Sequence, residues 1–208
     1  MSKIKAILFD MDGVLIDAKD WHFEALNEAL DLFGAKISIY DHLVTFDGLP
    51  TRHKLEMLTS AGKLPIDLHP IINKMKQKHT MRMILNKCKP TFNHQYALSK
   101  LHAEGYKMAV CSNSIRKSVE VMIEQAGIDK YFEFYVSNQD VLKGKPDPEM
   151  YNLAMSKLGF MPEECLILED NENGIKAANS SGGHLLKIGE VTDVTYENIK
   201  RRIKEIEN

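Results

Sequence analysis

The stretch that decides the fold is Ile4-Lys5-Ala6-Ile7-Leu8-Phe9-Asp10-Met11-Asp12-Gly13-Val14. Its first six residues are mostly apolar and rich in Ile and Leu, which predicts a buried strand. The strand is followed by two aspartates one residue apart and then by Gly13, where we expect the chain to turn. In open α/β sheets, ligands bind just outside the carboxyl ends of the strands. Asp10 and Asp12 are therefore candidates for a nucleophile and for a proton-transferring group beside it.

The composition is that of a globular protein with no strong overall charge. The 208 residues are 44% hydrophobic, with 27 Lys plus Arg against 29 Asp plus Glu. This length allows one sizeable core and a smaller subdomain. The balanced charge argues against nucleic acid or a membrane surface as a partner. Cys111 and Cys165 lie in apolar, strand-like runs, so we expect buried thiols in a reducing, cytoplasmic compartment.

The pattern of apolar residues predicts two kinds of structure along the chain. Residues 18–87 have helical periodicity and contain no clear strand. From residue 88 onward, short apolar strands alternate with helices, which predicts parallel βαβ units in a doubly wound sheet. We therefore predict an α/β core formed by residues 1–17 and 88–208, with an α-helical cap of residues 18–87 inserted into it.

The individual helices and strands follow from periodicity and from Gly and Pro at their boundaries. Helices are expected at residues 20–33, 51–60, 67–87, 93–104, 115–125, 149–158, 174–179 and 197–206. After the first strand, further strands are expected at residues 107–111, 134–136, 165–168 and 185–188. The segment 37–44 fits neither pattern.

Polar side chains also follow two later strands. Ser112 and Asn113 offer a hydroxyl, an amide and the N–H groups that open the next helix, which together could bind an anion. Glu169 and Asp170 are paired carboxylates, which suit a hard cation, most simply Mg²⁺. Taken alone, Ser112 and Asn113 are better explained by ordinary N-capping, and Glu169 and Asp170 are also compatible with acidic residues at a helix N-terminus.

A lysine in a constrained loop completes the set of candidate residues. Lys145 lies between Gly144 and Pro146, where its ammonium could neutralise a phosphate or a nucleophilic carboxylate. The loop is not a P-loop, because no Ser or Thr follows the lysine. The carboxyl ends of parallel strands meet at one edge of a sheet, so we expect all these side chains to converge there.

Four segments, in this order, resemble the motifs of the haloacid dehalogenase superfamily of hydrolases, and the resemblance covers the whole chain. The matching segments are Asp10–Val14, Ser112–Asn113, Gly144–Pro148 and Glu169–Gly174. The helical insert resembles the cap of the β-phosphoglucomutase and phosphoglycolate phosphatase branch. The chain departs from the family pattern at Asn171, where serine is more usual, and at Thr91-Phe92-Asn93, which replaces a Pro-Gly turn.

The resemblance implies a Mg²⁺-dependent phosphatase that hydrolyses a small phosphorylated metabolite, with sugar phosphates among the candidates. It implies that Asp10 becomes an aspartyl-phosphate and that Asp12 is the general acid and base. The implied ligands of the phosphoryl oxygens are Ser112, Asn113 and Lys145. The implied metal ligands are Asp10, Asp170 and the main-chain carbonyl of Asp12, with Glu169 acting through water. We expect a monomer or a weak homodimer.

The insert contains the candidates for substrate selection. The segment 48–55 resembles the specificity loop of this branch, and we expect the cap to open and close over Asp10. The candidate residues in the cap are His22, Thr51, Arg52, His53 and Lys54.

The main alternative is a phosphomutase that uses the same aspartyl-phosphate. A mutase must bind a second phosphate, yet the Arg expected in the cap loop is replaced by Thr51, with Arg52 one position along. Ile115 stands where mutases have a charged residue, although Arg116 could compensate in part. A dehalogenase needs neither Asp12 nor a metal, and the intact motifs argue against an inactive binding protein. We therefore predict hydrolysis rather than isomerisation, of a substrate that the sequence does not identify.

Overall fold

The computed structural model describes residues 3–46 and 49–208. The chain divides into two compact units, one formed by Met1–Asp17 with Cys88–Asn208 and the other by Ala18–Lys87. We call them the α/β unit and the helical unit. Gly48, which belongs to the segment that resembles a specificity loop, lies outside the described residues.

The α/β unit is built on a five-stranded sheet in which every pairing is parallel. Its strands are β1 (Ala6–Phe9), β2 (Lys107–Cys111), β3 (Phe134–Val136), β4 (Cys165–Glu169) and β5 (His184–Lys187). Their order across the sheet is β3-β2-β1-β4-β5. The first strand of the chain is therefore the central one, and it is buried along its whole length, as a strand covered on both faces should be.

The helical unit has no strand among its described residues. It contains α1 (Lys19–Asp31), α2 (Ile39–Asp41), α3 (Thr51–Ser60) and α4 (His69–Lys87). Its apolar side chains form a core of their own, which includes Leu30, Leu55 and Ile72. The segment 37–44, which fitted neither the helical nor the strand pattern, contains α2 and the start of a π-helical turn at His42–Phe46.

Among the described residues of the α/β unit there are five α-helices. They are α5 (Phe92–Ala103), α6 (Arg116–Gln125), α7 (Glu149–Leu158), α8 (Glu172–Ser181) and α9 (Tyr196–Glu207). One core cluster joins residues of β1, β2 and β4 to the buried faces of α7 and α8. Within the described ranges, no helix is both long and apolar enough to cross a membrane.

The predicted fold class is confirmed, since a parallel sheet with an inserted helical unit is what the chain forms. The predicted bounds are correct for β2, β3, α3 and α7. In the other predicted strands and helices, the ends differ from the prediction by at most two residues. Helix α8 begins earlier than predicted because the Asn171 side chain accepts hydrogen bonds from the N–H groups of Asn173 and Gly174, both at 3.1 Å. Asn171, which departs from the family pattern, is thus an effective N-cap.

All three cysteines are free and buried, which confirms the prediction made for Cys111 and Cys165. Burial raises the pKa of the thiols to about 11 for Cys88 and to about 12 for Cys111 and Cys165. The thiols are therefore protonated and unreactive at neutral pH.

Candidate active site

The turn after β1 brings two carboxylates to the carboxyl end of the sheet. Asp10 extends the pairing with β4 by one residue, because its N–H donates to the carbonyl of Leu168 at 3.0 Å. The chain then reverses, and the N–H of Gly13 donates to the carbonyl of Ile16 at 2.7 Å. Gly13 has φ +93°, a conformation that favours glycine. Asp10 is buried and Asp12 half-buried after this turn.

Lys145 is the centre of the site. Its Nζ donates to Asp10 Oδ1 at 2.5 Å, to Glu169 Oε1 at 2.5 Å and to the carbonyl of Cys111 at 2.8 Å. An ammonium has three N–H donors, so all three are engaged by the protein itself. The contact with a phosphoryl oxygen that the sequence predicts therefore requires Lys145 to release one of these bonds.

Burial and neighbouring charges shift the pKa values of Asp10 and Lys145. Burial raises the pKa of Asp10 and the charge of Glu169 raises it further, while Lys145 lowers it, and the net result is well above the ordinary value. Burial lowers the pKa of Lys145, but the two carboxylates raise it by more, so the side chain remains an ammonium. A second cation beside Asp10 would favour the ionised carboxylate that a nucleophile needs.

Glu169 is held by donors on both of its oxygens. Its carboxylate is fully buried, and Oε1 accepts from the Tyr151 hydroxyl at 2.5 Å as well as from Lys145. Oε2 accepts from the N–H of Asp170 at 3.2 Å. The ring of Tyr151 also faces the Lys145 ammonium, with Nζ 4.9 Å from the ring centroid, a distance suited to a cation–π interaction.

No role for Tyr151 was predicted from the sequence. Its position on a helix that begins just after the Lys145 loop could have indicated a contact with this site. A tyrosine that is buried there needs a partner for its hydroxyl.

A glycine allows α8 to approach Glu169. A Cβ placed on Gly174 would overlap the carboxylate of Glu169. Because that carboxylate is pinned by Lys145 and Tyr151, it could not move aside without breaking those bonds. Gly174 is thus required by close packing, although it lies inside a helix where glycine is otherwise unfavourable.

Asn113 fixes the loop that carries Lys145. Its Oδ1 accepts from the N–H of Lys145 at 3.0 Å and its Nδ2 donates to the carbonyl of the same residue at 3.1 Å. A Cβ on Gly144 would lie 2.6 Å from Asn113 Oδ1, so glycine is needed there too. Asn113 was predicted to bind a phosphoryl oxygen; its Nδ2 carries a second N–H that the bond to Lys145 does not use, so this stays a prediction.

Ser112 lies directly after β2 and is 1% exposed. Its N–H donates to the carbonyl of Val136 at 2.9 Å, and its Oγ accepts from the N–H of Ser114 at 3.1 Å. Because Ser112 Oγ is the acceptor in the bond with Ser114, its own hydroxyl proton can still be donated. This agrees with the predicted contact between Ser112 and a phosphoryl oxygen.

Three carboxylates form a group that could hold a metal ion. Asp10, Glu169 and Asp170 each offer one oxygen, and these oxygens lie within 4.8 Å of one another. A donor set of carboxylate oxygens without nitrogen or sulfur fits a hard cation such as Mg²⁺. Three of the four residues predicted from sequence to bind a metal are thus close together at this edge, and the contribution of the Asp12 carbonyl stays a prediction.

The candidate residues of the helical unit occupy two places. Thr51, Arg52, His53 and Lys54 form the first turn of α3 rather than a loop, in agreement with the predicted helix at 51–60. Arg52 is 87% exposed in its side chain and pairs with Glu56 at 2.8 Å. On α1, His22 Nδ1 lies 3.4 Å from Lys76 Nζ of α4.

The bond from Tyr151 to Glu169 can be tested by Tyr151→Phe, which retains the ring and removes the hydroxyl. Because the buried carboxylate would lose one donor, we expect the free energy of unfolding to fall by about 1–3 kcal/mol. Urea denaturation of the variant and of the unaltered protein would measure this difference in the free energy of unfolding. The matched control is Tyr131→Phe, which removes a longer hydrogen bond to Gln95, 3.4 Å, and should cost less than about 0.5 kcal/mol. Equal losses in the two variants would contradict the role given to Tyr151.

Comparison with known proteins agrees with this geometry. A profile of the family described as haloacid dehalogenase-like hydrolase matches residues 7–188. The chain is 28% identical over 217 residues to a phosphorylated carbohydrates phosphatase of Thermotoga maritima, with 98% of this chain and 100% of that protein covered. It is 26% identical over 176 residues to a fructose-1-phosphate phosphatase of Escherichia coli, with 85% and 92% covered.

Solved structures show the same fold. A crystal structure of β-phosphoglucomutase from Clostridium difficile is 20% identical and superposes with a TM-score of 0.82, over 97% of this chain and 98% of that one. At this identity the likeness concerns the fold alone. The profile match covers most of the chain, and this protein therefore belongs to the haloacid dehalogenase-like hydrolase family, as its four motifs predicted.

Proposed function

We propose that this protein is a Mg²⁺-dependent phosphatase that hydrolyses a small phosphorylated metabolite through an aspartyl-phosphate at Asp10. The observation that carries the proposal is the buried group of Asp10, Lys145 and Glu169 beside Asp170. It combines a carboxylate nucleophile, a compensating cation and oxygen ligands for a metal. The names of the two relatives, which specify phosphorylated carbohydrates and fructose 1-phosphate, support a sugar phosphate as the substrate.

The reaction has two halves. In the first, a carboxylate oxygen of Asp10 attacks phosphorus, the bond from phosphorus to the leaving oxygen breaks, and Asp12 gives that oxygen its proton. In the second, water attacks the phosphoryl group, Asp12 accepts a proton from the water, and Asp10 is released as a carboxylate. The hydrogen bond from Lys145 to Asp10 Oδ1 orients the nucleophile throughout.

The oxygen ligands fit Mg²⁺, which would be held by Asp10, Asp170 and the main-chain carbonyl of Asp12, with Glu169 acting through water. When bound, the ion supplies positive charge that offsets the repulsion between a carboxylate and a phosphate dianion. Glu169 also keeps Lys145 in place, since both share a 2.5 Å ion pair inside the protein.

The residues proposed to bind the phosphoryl oxygens are Ser112, Asn113 and Lys145. Ser112 can donate its hydroxyl proton without losing the bond from Ser114. Asn113 Nδ2 carries a second N–H, so it can donate to the substrate while it keeps its bond to the carbonyl of Lys145. Lys145 would exchange its bond to the carbonyl of Cys111 for a bond to the substrate and keep its bond to Asp10. Substrate binding is thus coupled to a change of hydrogen-bond partner at the Lys145 ammonium.

The arginines that a phosphomutase would need for a second phosphate are engaged elsewhere. Arg116 Nη2 donates to Asp140 Oδ1 at 2.5 Å and to the carbonyl of Tyr135 at 3.4 Å. Partial burial raises the pKa of Asp140, but hydrogen bonds from Arg116 and Ser137 lower it to about 2, so the pair is ionised at neutral pH. Arg52 pairs with Glu56. These contacts favour hydrolysis over isomerisation.

The proposal also covers the role of the helical unit, the cellular compartment and the oligomeric state. We propose that the helical unit selects the substrate, with His22 and the first turn of α3, Thr51 to Lys54, as contributing residues. Three buried, free thiols are typical of a reducing compartment, which supports a cytoplasmic enzyme. We propose a monomer or a weak homodimer.

The activity can be tested with a panel of phosphorylated metabolites, by measuring phosphate release with Mg²⁺ and with EDTA. Asp10→Asn should lower the rate by at least about 10³-fold, because an amide is a poor nucleophile. The control is Asp129→Asn, at an exposed aspartate in the same unit, which should retain full activity. Undiminished turnover by Asp10→Asn, or full activity in EDTA, would exclude this mechanism.

Hydrolysis and isomerisation can be separated directly. The protein is incubated with β-glucose 1-phosphate, Mg²⁺ and a trace of β-glucose 1,6-bisphosphate, and both free phosphate and glucose 6-phosphate are followed. We expect no rapid formation of glucose 6-phosphate, because Arg52 and Arg116, the two candidates for binding a second phosphate, are each paired with a carboxylate. Rapid formation of glucose 6-phosphate, with little phosphate from any metabolite of the panel, would identify a mutase instead.

Substrate selection by α3 can be tested with Arg52→Ala. We expect the ratios of kcat/KM among the panel substrates to change by about tenfold or more, which would alter their order of preference. The concentration of Mg²⁺ that the enzyme requires should stay the same. The control is Arg82→Ala, at another exposed arginine of the helical unit, which pairs with Glu28. If Arg82→Ala and Arg52→Ala had the same effect, a specific role for α3 would be refuted.

A further inference from the structure

Ser114 contacts the proposed general acid, although it lies outside the residues that the motifs assign. Its Oγ donates a hydrogen bond to Asp12 Oδ2 at 3.0 Å. Asp12 comes from the turn after β1 and Ser114 from the loop after β2, so the bond joins the ends of two adjacent strands. Both residues are half-buried, which leaves Asp12 within reach of a substrate.

The backbone of Ser114 is fixed on both sides. Its N–H donates to Ser112 Oγ at 3.1 Å, and its carbonyl accepts from the N–H of Asn138 at 3.2 Å. Ser112 is itself anchored to β3 through the carbonyl of Val136. The hydroxyl of Ser114 therefore starts from a defined position relative to the sheet, and its bond can fix the direction of the Asp12 carboxyl.

A hydroxyl is well matched to a group that changes its protonation during the reaction. Asp12 gives a proton in the first half of the proposed reaction and takes one in the second. A serine hydroxyl can rotate, so it can donate to the carboxylate and accept from the carboxylic acid. An ammonium or an amide N–H could serve only the carboxylate. Ser114 can therefore remain bonded to Asp12 through both halves.

We propose that Ser114 is a positioning residue that holds the Asp12 carboxyl in line with the leaving oxygen of the substrate. It acts through the carboxyl of Asp12 and has no direct role in binding the phosphoryl group. The proposal rests on the proposed phosphatase function and adds a residue to it. The proposal predicts that loss of the Ser114 hydroxyl slows proton transfer to the leaving group more than it slows any other step of the reaction.

The test compares two aryl esters of nearly the same shape in Ser114→Ala. p-Nitrophenyl phosphate releases a stable phenolate that needs little protonation, whereas phenyl phosphate releases a more basic one that depends on the general acid. The ratio kcat/KM reports the steps up to release of the first product, which isolates this half of the reaction. We expect kcat/KM to fall about tenfold for phenyl phosphate and less than about twofold for p-nitrophenyl phosphate. Ser114→Thr, which keeps a hydroxyl, should restore most of the loss.

The matched control is Ser118→Ala in α6. Ser118 is 1% exposed, and its Oγ has no hydrogen-bond partner in the part of the chain that the structure describes. Removing that hydroxyl should leave both esters unaffected.

The two proposals fail differently. Equal losses for the two esters in Ser114→Ala, or no loss for either, would overturn the role of Ser114 while the phosphatase function stands. If the unaltered protein hydrolysed neither ester and no metabolite of the panel, the phosphatase function would fail, and the role of Ser114 with it.

Discussion

The buried ammonium of Lys145 is the interaction on which the site and the centre of the sheet both depend. Its three acceptors belong to the ends of β1, β2 and β4, which are the three adjacent strands in the middle of the sheet. Removing one partner of a buried ion pair typically costs about 3–5 kcal/mol, because the remaining charge is left uncompensated. Lys145 therefore links the three strand ends and also places a positive charge beside Asp10, the proposed nucleophile.

The surrounding residues have roles that follow from this ammonium. Asn113 determines where the Lys145 backbone lies, and Glu169 determines where its Nζ lies. Tyr151 of α7 donates a hydrogen bond to Glu169, and Gly174 allows α8 to approach the same carboxylate closely. Glu169 and Lys145, and with them the proposed nucleophile Asp10, are thus positioned by packing as much as by charge, which is how rigid elements usually support a site.

The sequence predicted the residues that lie at strand ends, because that rule depends only on local patterns and on parallel topology. Asp10, Glu169 and Asp170 converge as expected. It did not predict what each polar group bonds to, since such bonds join distant segments. The bond from Ser114 to Asp12 spans 102 positions along the chain. The internal pairing of Asn113 with Lys145 likewise depends on the path of a loop, for which apolar periodicity contains no information.

The central position of β1 has a consequence for how the protein is made. β1 is synthesised before both of its neighbours in the sheet, Lys107–Cys111 and Cys165–Glu169. The contiguous helical unit can form on the ribosome before either of them exists, while β1 keeps two unpaired apolar edges. Closure of the sheet must then wait for contacts between distant segments, which form slowly. Substitutions within Ala6–Phe9 that increase β-aggregation should accordingly reduce the yield of soluble protein even where the finished fold would tolerate them.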